Sequence, residues 1–326
     1  MKKSAMPASL DLATLIPDFP VELLSDRAVD LLSLDQILVR QGLARHPHAA
    51  GESWLRSANN QIFSVSNGVG AAYDAIQKMR HNAPIIRLVP NAGEVTELHG
   101  NIIDIPLLNG FRLPIGTLLE QDPAATLIVS TPEPISGRIA TVQEMVRLAR
   151  HFALVVMDEQ LAPFSLRRLT PLIEEWENLV SIQRFPFHMP GEISPFAWMV
   201  HPTAMRPLIQ EHLEPVPQET IAEVMSYGQI DTFPAERYAA RLKGQLWREL
   251  RKLSIVSVPY PSWGPALLAQ VERGDRDEIV ADLHARGIEV YAPPHPNLRH
   301  VFRATAVSPD AIQALKDALI EINLGL

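Results

Sequence analysis

The sequence contains no cysteine and is poor in lysine. Of its 326 residues six are lysine, and none of these lies between Lys78 and Lys243. Because cysteine is absent, disulfides, thiolate metal ligands and cysteine nucleophiles are all excluded. The chain also lacks any run of about 18 apolar residues, so no membrane-spanning helix is predicted.

Basic patches are missing as well. The formal net charge is −8, and the arginines are scattered rather than clustered. A nucleic-acid partner is therefore not expected, since such binding needs a basic face that neutralises phosphates. Near the N-terminus, Pro7, Ser9 and Asp11 interrupt the apolar run that a signal peptide would need, so a cytoplasmic location is predicted.

What is present is the composition of an ordinary globular protein, with 47% hydrophobic and 20% charged residues. Short runs rich in Ile, Val and Leu alternate with helical patterns through the middle of the chain. This alternation predicts an α/β fold with a doubly wound, mostly parallel sheet covered on both faces. Towards the C-terminus the pattern becomes strand, strand, helix, strand, strand, helix, which is typical of a small α+β domain. We therefore divide the chain into an N-terminal segment (1–60), a large α/β domain (61–250) and a small α+β domain (251–326).

Five fragments occur in an order that resembles the fold-type I, pyridoxal-phosphate-dependent aminotransferases of the histidinol-phosphate aminotransferase-like group. They are "SNGVGAAYDAIQ", "STPEPISGRIAT", "LVVMDEQLAPFS", "RFPFHMPG" and "HVFRATAVSPDAIQALKDAL". The resemblance covers roughly residues 60–326. It implies the aminotransferase fold, a dimeric assembly, and a cofactor pocket at the carboxyl ends of the strands.

The same resemblance implies that this pocket has degenerated. It places Phe187 at the position of the Schiff-base lysine, and a phenyl ring cannot form an imine or move a proton. The positions that would stack on the cofactor ring, hydrogen-bond its phenolic oxygen or bind its phosphate carry residues that cannot make these contacts. The former pocket comprises Gly68, Val69, Gly70, Ala92, Pro134, Asp158, Leu161, Phe187 and Pro195. We therefore expect no bound cofactor.

Two residues keep the identity that the resemblance requires. Asp158 matches the aspartate that pairs with the pyridine nitrogen, although a carboxylate at a strand end can equally cap a turn. Arg303 matches the arginine that clamps a substrate carboxylate, although it can equally form a structural ion pair. His188, beside the lysine position, is a candidate general base or an ordinary loop histidine. His295, His300 and Glu289 lack metal-ligand spacing, so no metal site is predicted.

Three functions remain open. The first is a non-catalytic aminotransferase-fold protein, a pseudoenzyme, acting as a binding or partner subunit in a homodimer or in a heterodimer with an active homologue. The second is an enzyme of another class that uses the inherited crevice, with Arg303 as anchor for a small carboxylate ligand. The third is a pyridoxal-phosphate-dependent aminotransferase with an unrecognised lysine.

Overall fold

The structure is a computed structural model that describes residues 61–66, 68–81, 83–91, 95, 98–165, 169–185, 196–213 and 233–325. The predicted N-terminal segment lies outside these residues, as do four of the predicted site positions, Ala92, Phe187, His188 and Pro195.

The first part of the described chain alternates strands and helices. These elements are β1 (Gln61–Ser66), α1 (Val69–Met79), β2 (Ile85–Val89), β3 (Ile102–Pro106), α2 (Ile115–Leu118), β4 (Thr126–Ser130), α3 (Val142–Ala149), β5 (Leu154–Asp158), α4 (Ala162–Ser165), a 3-10 turn (Thr170–Glu174), β6 (Leu179–Phe185), β7 (Phe196–Pro202) and α5 (Arg206–His212).

One large sheet contains seven of these strands, in the order β1-β7-β6-β5-β4-β2-β3. Strand β7 is antiparallel to both of its neighbours, and the other neighbouring pairs are parallel, so six strands run in one direction. The predicted mixed α/β fold with a mostly parallel sheet is confirmed.

The strands are apolar because both faces of the sheet are covered. All five residues of β5 are buried, as expected for a central strand of a parallel sheet. Alternate residues face two separate cores: Val155 and Met157 pack beside α3, whereas Leu154 and Val156 pack beside α1. This double coverage leaves the strand ends as the place where polar side chains can gather.

A second group of elements follows. It comprises α6 (Phe233–Leu250), β8 (Val256–Ser257), β9 (Ala266–Val271), α7 (Arg276–Ala285), β10 (Val301–Thr305) and α8 (Pro309–Gly325), with an antiparallel sheet in the order β10-β9-β8. The prediction of a strand directly after α7 is wrong, because the chain there forms only an isolated bridge between Tyr291 and Arg303. None of the described helices is long and apolar enough to cross a membrane.

Local capping signals set where two helices begin. Thr141 and Glu144 form a reciprocal capping box at the start of α3. Ser308 caps α8, since its Oγ accepts from the amide of Ala311 at 3.0 Å, and Pro309 is the first residue of the helix. Helix α8 thereby follows β10 closely and fixes the strand that carries Arg303.

Candidate ligand-binding site

The carboxyl ends of β4, β5 and β6 lie side by side, because these strands are parallel neighbours. In open α/β sheets, ligands bind in the crevice outside such ends. Four predicted residues of the described chain lie in the segments around this edge: Gly68 before α1, Pro134 after β4, and Asp158 and Leu161 at and after the end of β5.

The glycine-rich turn leads into α1. Gly68 is the N-cap of this helix and has a φ of 91°, a value that side-chain-bearing residues rarely adopt. Val69 is buried at 2% exposure, whereas Gly70 is exposed and would have open space around an added Cβ. The backbone conformation at position 68 therefore favours glycine, whereas no neighbouring atom excludes a side chain at position 70.

Asp158 is buried and hydrogen-bonded within the protein. Its Oδ2 accepts from the Tyr73 hydroxyl at 2.8 Å and from Gln160 Nε2 at 3.2 Å, and its Oδ1 accepts from the Gln160 amide at 3.2 Å. Tyr73 lies on α1 at 2% exposure, and Asp158 itself is 6% exposed. Helix α1 thus brings a phenol directly onto the carboxylate.

The neighbouring carboxylate, Glu159, serves a different part of the structure. It accepts from the Leu169 amide and the Ser181 hydroxyl, both at 2.6 Å, and from the Thr170 hydroxyl. Asp158 and Glu159 thus have different hydrogen-bond partners. Glu159 ties β5 to β6 and to the following turn.

A compact turn follows β4, and we call residues 133–138 the β4 turn. Glu133 Oε1 accepts from the Ile135 amide at 2.8 Å, and its Oε2 accepts from the Ser136 amide and hydroxyl at 2.6 Å each. Burial raises the pKa of Glu133, while the hydrogen bonds and the nearby charge of Arg303 oppose this rise. The carboxylate therefore acts as an internal brace for the turn.

Arg303 reaches from β10 to the β4 turn. Its Nη1 donates to the Pro134 carbonyl at 2.6 Å, and its guanidinium lies 4.8 Å from the Tyr291 ring centroid. Burial lowers the pKa of Arg303, although Tyr291 and Glu133 act in the opposite direction. Within the described residues its Nε and Nη2 atoms have no hydrogen-bond partner, so part of the guanidinium fork is not used by the protein.

Sequence reasoning missed Tyr73, Gln160, Glu133 and Lys243. Tyr73 is 85 positions from Asp158, so no local pattern signals their contact. A signal did exist for Lys243: it shares a helical stripe with Ala239, Leu246 and Leu250, all of which are buried. A lysine on the apolar stripe of an amphipathic helix needs internal acceptors, and that requirement can be read from the sequence.

The comparisons with known proteins point to one fold. No protein-family model matches the chain. A histidinol-phosphate aminotransferase of Pyrococcus furiosus is 28% identical over 153 residues, which cover 43% of this chain and 45% of that protein. One from Thermococcus kodakarensis is 27% identical over 85 residues, or 26% of this chain and 25% of that protein. The chain thus aligns with less than half the length of these curated relatives.

Solved structures match over almost the whole chain. The histidinol-phosphate aminotransferase of Clostridium acetobutylicum aligns with a TM-score of 0.73 at 12% identity, covering 99% of this chain and 98% of that one. The chain has the aminotransferase fold. The Sinorhizobium meliloti histidinol-phosphate aminotransferase, in complex with pyridoxal-5′-phosphate, aligns at a TM-score of 0.69 and 16% identity, covering 99% and 89%.

The aminotransferase fold alone does not fix the chemistry. The L-threonine-O-3-phosphate decarboxylase of Porphyromonas gingivalis aligns with a TM-score of 0.63 at 20% identity, covering 81% of this chain and 84% of that one. Proteins with different reactions thus share this architecture, and the function has to be argued from the side chains of the site.

Proposed function

We propose that this chain is an aminotransferase-fold protein without pyridoxal-phosphate chemistry, which acts as a binding or partner subunit. The observation that carries the proposal is the hydrogen bond between Tyr73 and Asp158. The aspartate that would pair with a pyridine nitrogen already accepts a hydrogen bond from the protein itself.

This contact argues that the residues present do not fit the cofactor. A pyridinium N–H would compete with the Tyr73 hydroxyl and Gln160 for Asp158. A hydrogen bond to a charged group contributes about 1.5–3 kcal/mol, so loss of the bond between Tyr73 and Asp158 would cost free energy of this order. The cofactor would have to offset this cost before gaining anything from this carboxylate.

The lysine content argues in the same direction. An imine with the cofactor needs an amine at the end of a sheet strand, and no lysine occurs between Lys78 and Lys243. Phe187 at the expected lysine position stays a prediction, as do the pocket roles of Ala92, Leu161 and Pro195. The alternative of an unrecognised lysine rests on Lys243, because burial lowers the pKa of this amine to about 8.

Arg303 gives the crevice a remaining binding group. Its guanidinium is held by Pro134 and Tyr291, while its Nε and Nη2 atoms have no hydrogen-bond partner in the part of the chain that the structure describes, which suits a bidentate contact with a carboxylate. The ligand class that this chemistry favours is a small carboxylic acid. Binding of such an acid needs no imine, so it is compatible with the loss of the cofactor site.

A homodimer, or a heterodimer with an active homologue, stays a prediction from the resemblance. Native mass spectrometry of the protein isolated from its source distinguishes the two assemblies. A monomer under these conditions would remove the partner-subunit role and leave only ligand binding.

The test of the proposal is incubation with pyridoxal phosphate followed by borohydride reduction, with an active aminotransferase treated in parallel. We expect no visible imine band and no stoichiometric gain in mass. A single lysine modified in every molecule would contradict the proposal, and peptide mapping would identify it. Modification at Lys243 would support the alternative of an aminotransferase with an unrecognised lysine.

A further inference from the structure

We propose that Lys243 fastens two loops together and thereby fixes the position of the Pro134 carbonyl that holds Arg303. The first loop consists of residues 262–264, which we call the strap. The second is the β4 turn. In this role Lys243 is a positioning residue that acts on Arg303 through the two loops and does not itself contact a ligand.

The first step is the contact between Lys243 and the strap. Lys243 Nζ donates to the carbonyl oxygens of Ser262 at 2.7 Å and Gly264 at 2.8 Å. Helix α6 presents this amine from its buried side, where Leu242 and Leu246 are at most 1% exposed. One ammonium group therefore bridges two carbonyls that lie on either side of Trp263.

The second step is the contact between the strap and the β4 turn. The Trp263 amide donates to the Gly137 carbonyl at 2.8 Å. A Cβ added to Gly137 would lie 2.1 Å from Ser262 Oγ and 2.9 Å from the Gly264 amide nitrogen. The two backbones are thus in direct contact, and their approach requires glycine at position 137.

The third step leads through the β4 turn to Arg303. The Gly137 amide donates to the Glu133 carbonyl at 2.7 Å, and the Glu133 side chain braces the same turn through Ile135 and Ser136. Pro134, within this turn, accepts from Arg303 at 2.6 Å. Hydrogen bonds, together with the backbone between adjacent residues of each loop, thus connect Lys243 with Arg303.

The competing explanation is that the two carbonyls only satisfy the buried charge of Lys243. Removing the amine would then change overall stability but leave the contact between the strap and the turn unaltered. Amide hydrogen exchange separates the two cases, because it measures the opening of individual hydrogen bonds rather than one global stability.

The experiment compares Lys243→Met and Lys243→Arg with the wild-type protein. The control is Lys252→Met, which removes an exposed lysine paired with Glu249 just beyond the end of the same helix. In Lys243→Met we expect the Trp263 and Gly137 amides to exchange at least about tenfold faster, since a charge-assisted contact that closes them is lost. Lys243→Arg should restore part of the protection, and Lys252→Met should leave it unchanged.

Unchanged exchange at both amides in folded Lys243→Met would overturn the proposal. Equal acceleration at Val155 and Val156 in the central strand would overturn it too, since the effect would then be global. If the Met variant does not fold, Lys243→Gln, which removes the charge and shortens the side chain, replaces it, and the same faster exchange of the Trp263 and Gly137 amides is expected. These outcomes do not depend on a ligand or on pyridoxal phosphate, so they stand apart from the test of the proposed function.

Discussion

Among single side chains, Asp158 shows most clearly how the protein uses a carboxylate at a strand end. Its carboxylate ends a buried strand and accepts from a phenol that is itself buried. A group in this position stabilises the packing of α1 against the sheet.

Replacement of Tyr73 by Phe tests this structural role. The change removes one oxygen and leaves the ring in place, so we expect the free energy of unfolding to fall by about 1–3 kcal/mol. Urea unfolding measures the loss. Tyr260→Phe is the matched control, because within the described residues Tyr260 makes a ring contact with Phe111 and no hydrogen bond through its hydroxyl. Equal stability of the Tyr73→Phe and wild-type proteins would contradict the role assigned to Asp158.

Arg303 offers the second test among single residues. Arg303→Met retains apolar bulk beside Tyr291 and removes the fork, so we expect binding of a small dicarboxylate such as succinate to fall by at least about tenfold, the loss of one charge-assisted contact. Isothermal calorimetry measures this binding, and Arg299→Met, at an exposed position on the same stretch, is the control. Equal affinity in both variants would show that the fork is not the anchor.

Site residues were predictable from the sequence only where a local rule fixes them. Asp158 could be placed because the apolar run before it had to be a buried strand. Its partner Tyr73 could not, because the contact joins two elements far apart in the chain. The contacts of Arg303 with Pro134 and Tyr291 were not predictable either, and Tyr291 lies in an isolated bridge where a strand was expected.

Among the elements, the contact between the strap and the β4 turn is the most demanding. Gly137 has a φ of 74°, and any side chain there would meet Ser262 and the Gly264 backbone. Gly287 has nearly the same φ, 75°, but nothing lies within 4 Å of an added Cβ. Substitution of each glycine by alanine therefore distinguishes backbone strain, which both positions share, from steric exclusion, which affects only Gly137.

We expect Gly287→Ala to lower the free energy of unfolding by about 1–2 kcal/mol, the cost of a left-handed alanine. Gly137→Ala should cost clearly more, because the strap must move away and the Trp263–Gly137 bond must lengthen. Thermal and urea unfolding of the two variants measure the difference. Similar losses in both would mean that the strap yields easily and holds the turn only weakly.

The sheet was easier to predict than its one reversed strand. Parallel strands covered on both faces have continuous apolar runs, and β4 and β5 show this pattern directly. The direction of β7 is set by its antiparallel pairing with β6 and β1, and the apolar run itself carries no mark of direction. The pattern of apolar runs therefore predicts a sheet covered on both faces, whereas the reversed direction of β7 depends on its pairing with β6 and β1.

For the molecule as a whole, one buried histidine makes stability depend on pH. His201 lies on β7 at 0% exposure, opposite Ile62 of β1, and its Nδ1 lies 2.9 Å from the Pro202 carbonyl oxygen. Burial lowers its pKa; the contact with Pro202 raises it, and the charge of Arg206 lowers it further. The folded protein therefore holds this imidazole neutral at a pH where the unfolded chain binds a proton.

The sign of the effect follows from this difference. Above the unfolded pKa of about 6.5, both states carry a neutral His201, and the residue makes no pH-dependent contribution. As the pH falls below that value, the unfolded chain gains a proton that the folded protein does not, and the free energy of unfolding decreases.

We expect this decrease between about pH 7.5 and 5.5 to be smaller in His201→Asn than in the wild-type protein. His300→Asn, at an exposed position, should keep the wild-type dependence of the free energy of unfolding on pH. Urea unfolding at both pH values measures the slopes, and the other titrating groups cancel because they are common to all three proteins. Identical slopes for His201→Asn and the wild type would mean that the imidazole takes up its proton inside the folded sheet, with β1 and β7 separating enough to admit water.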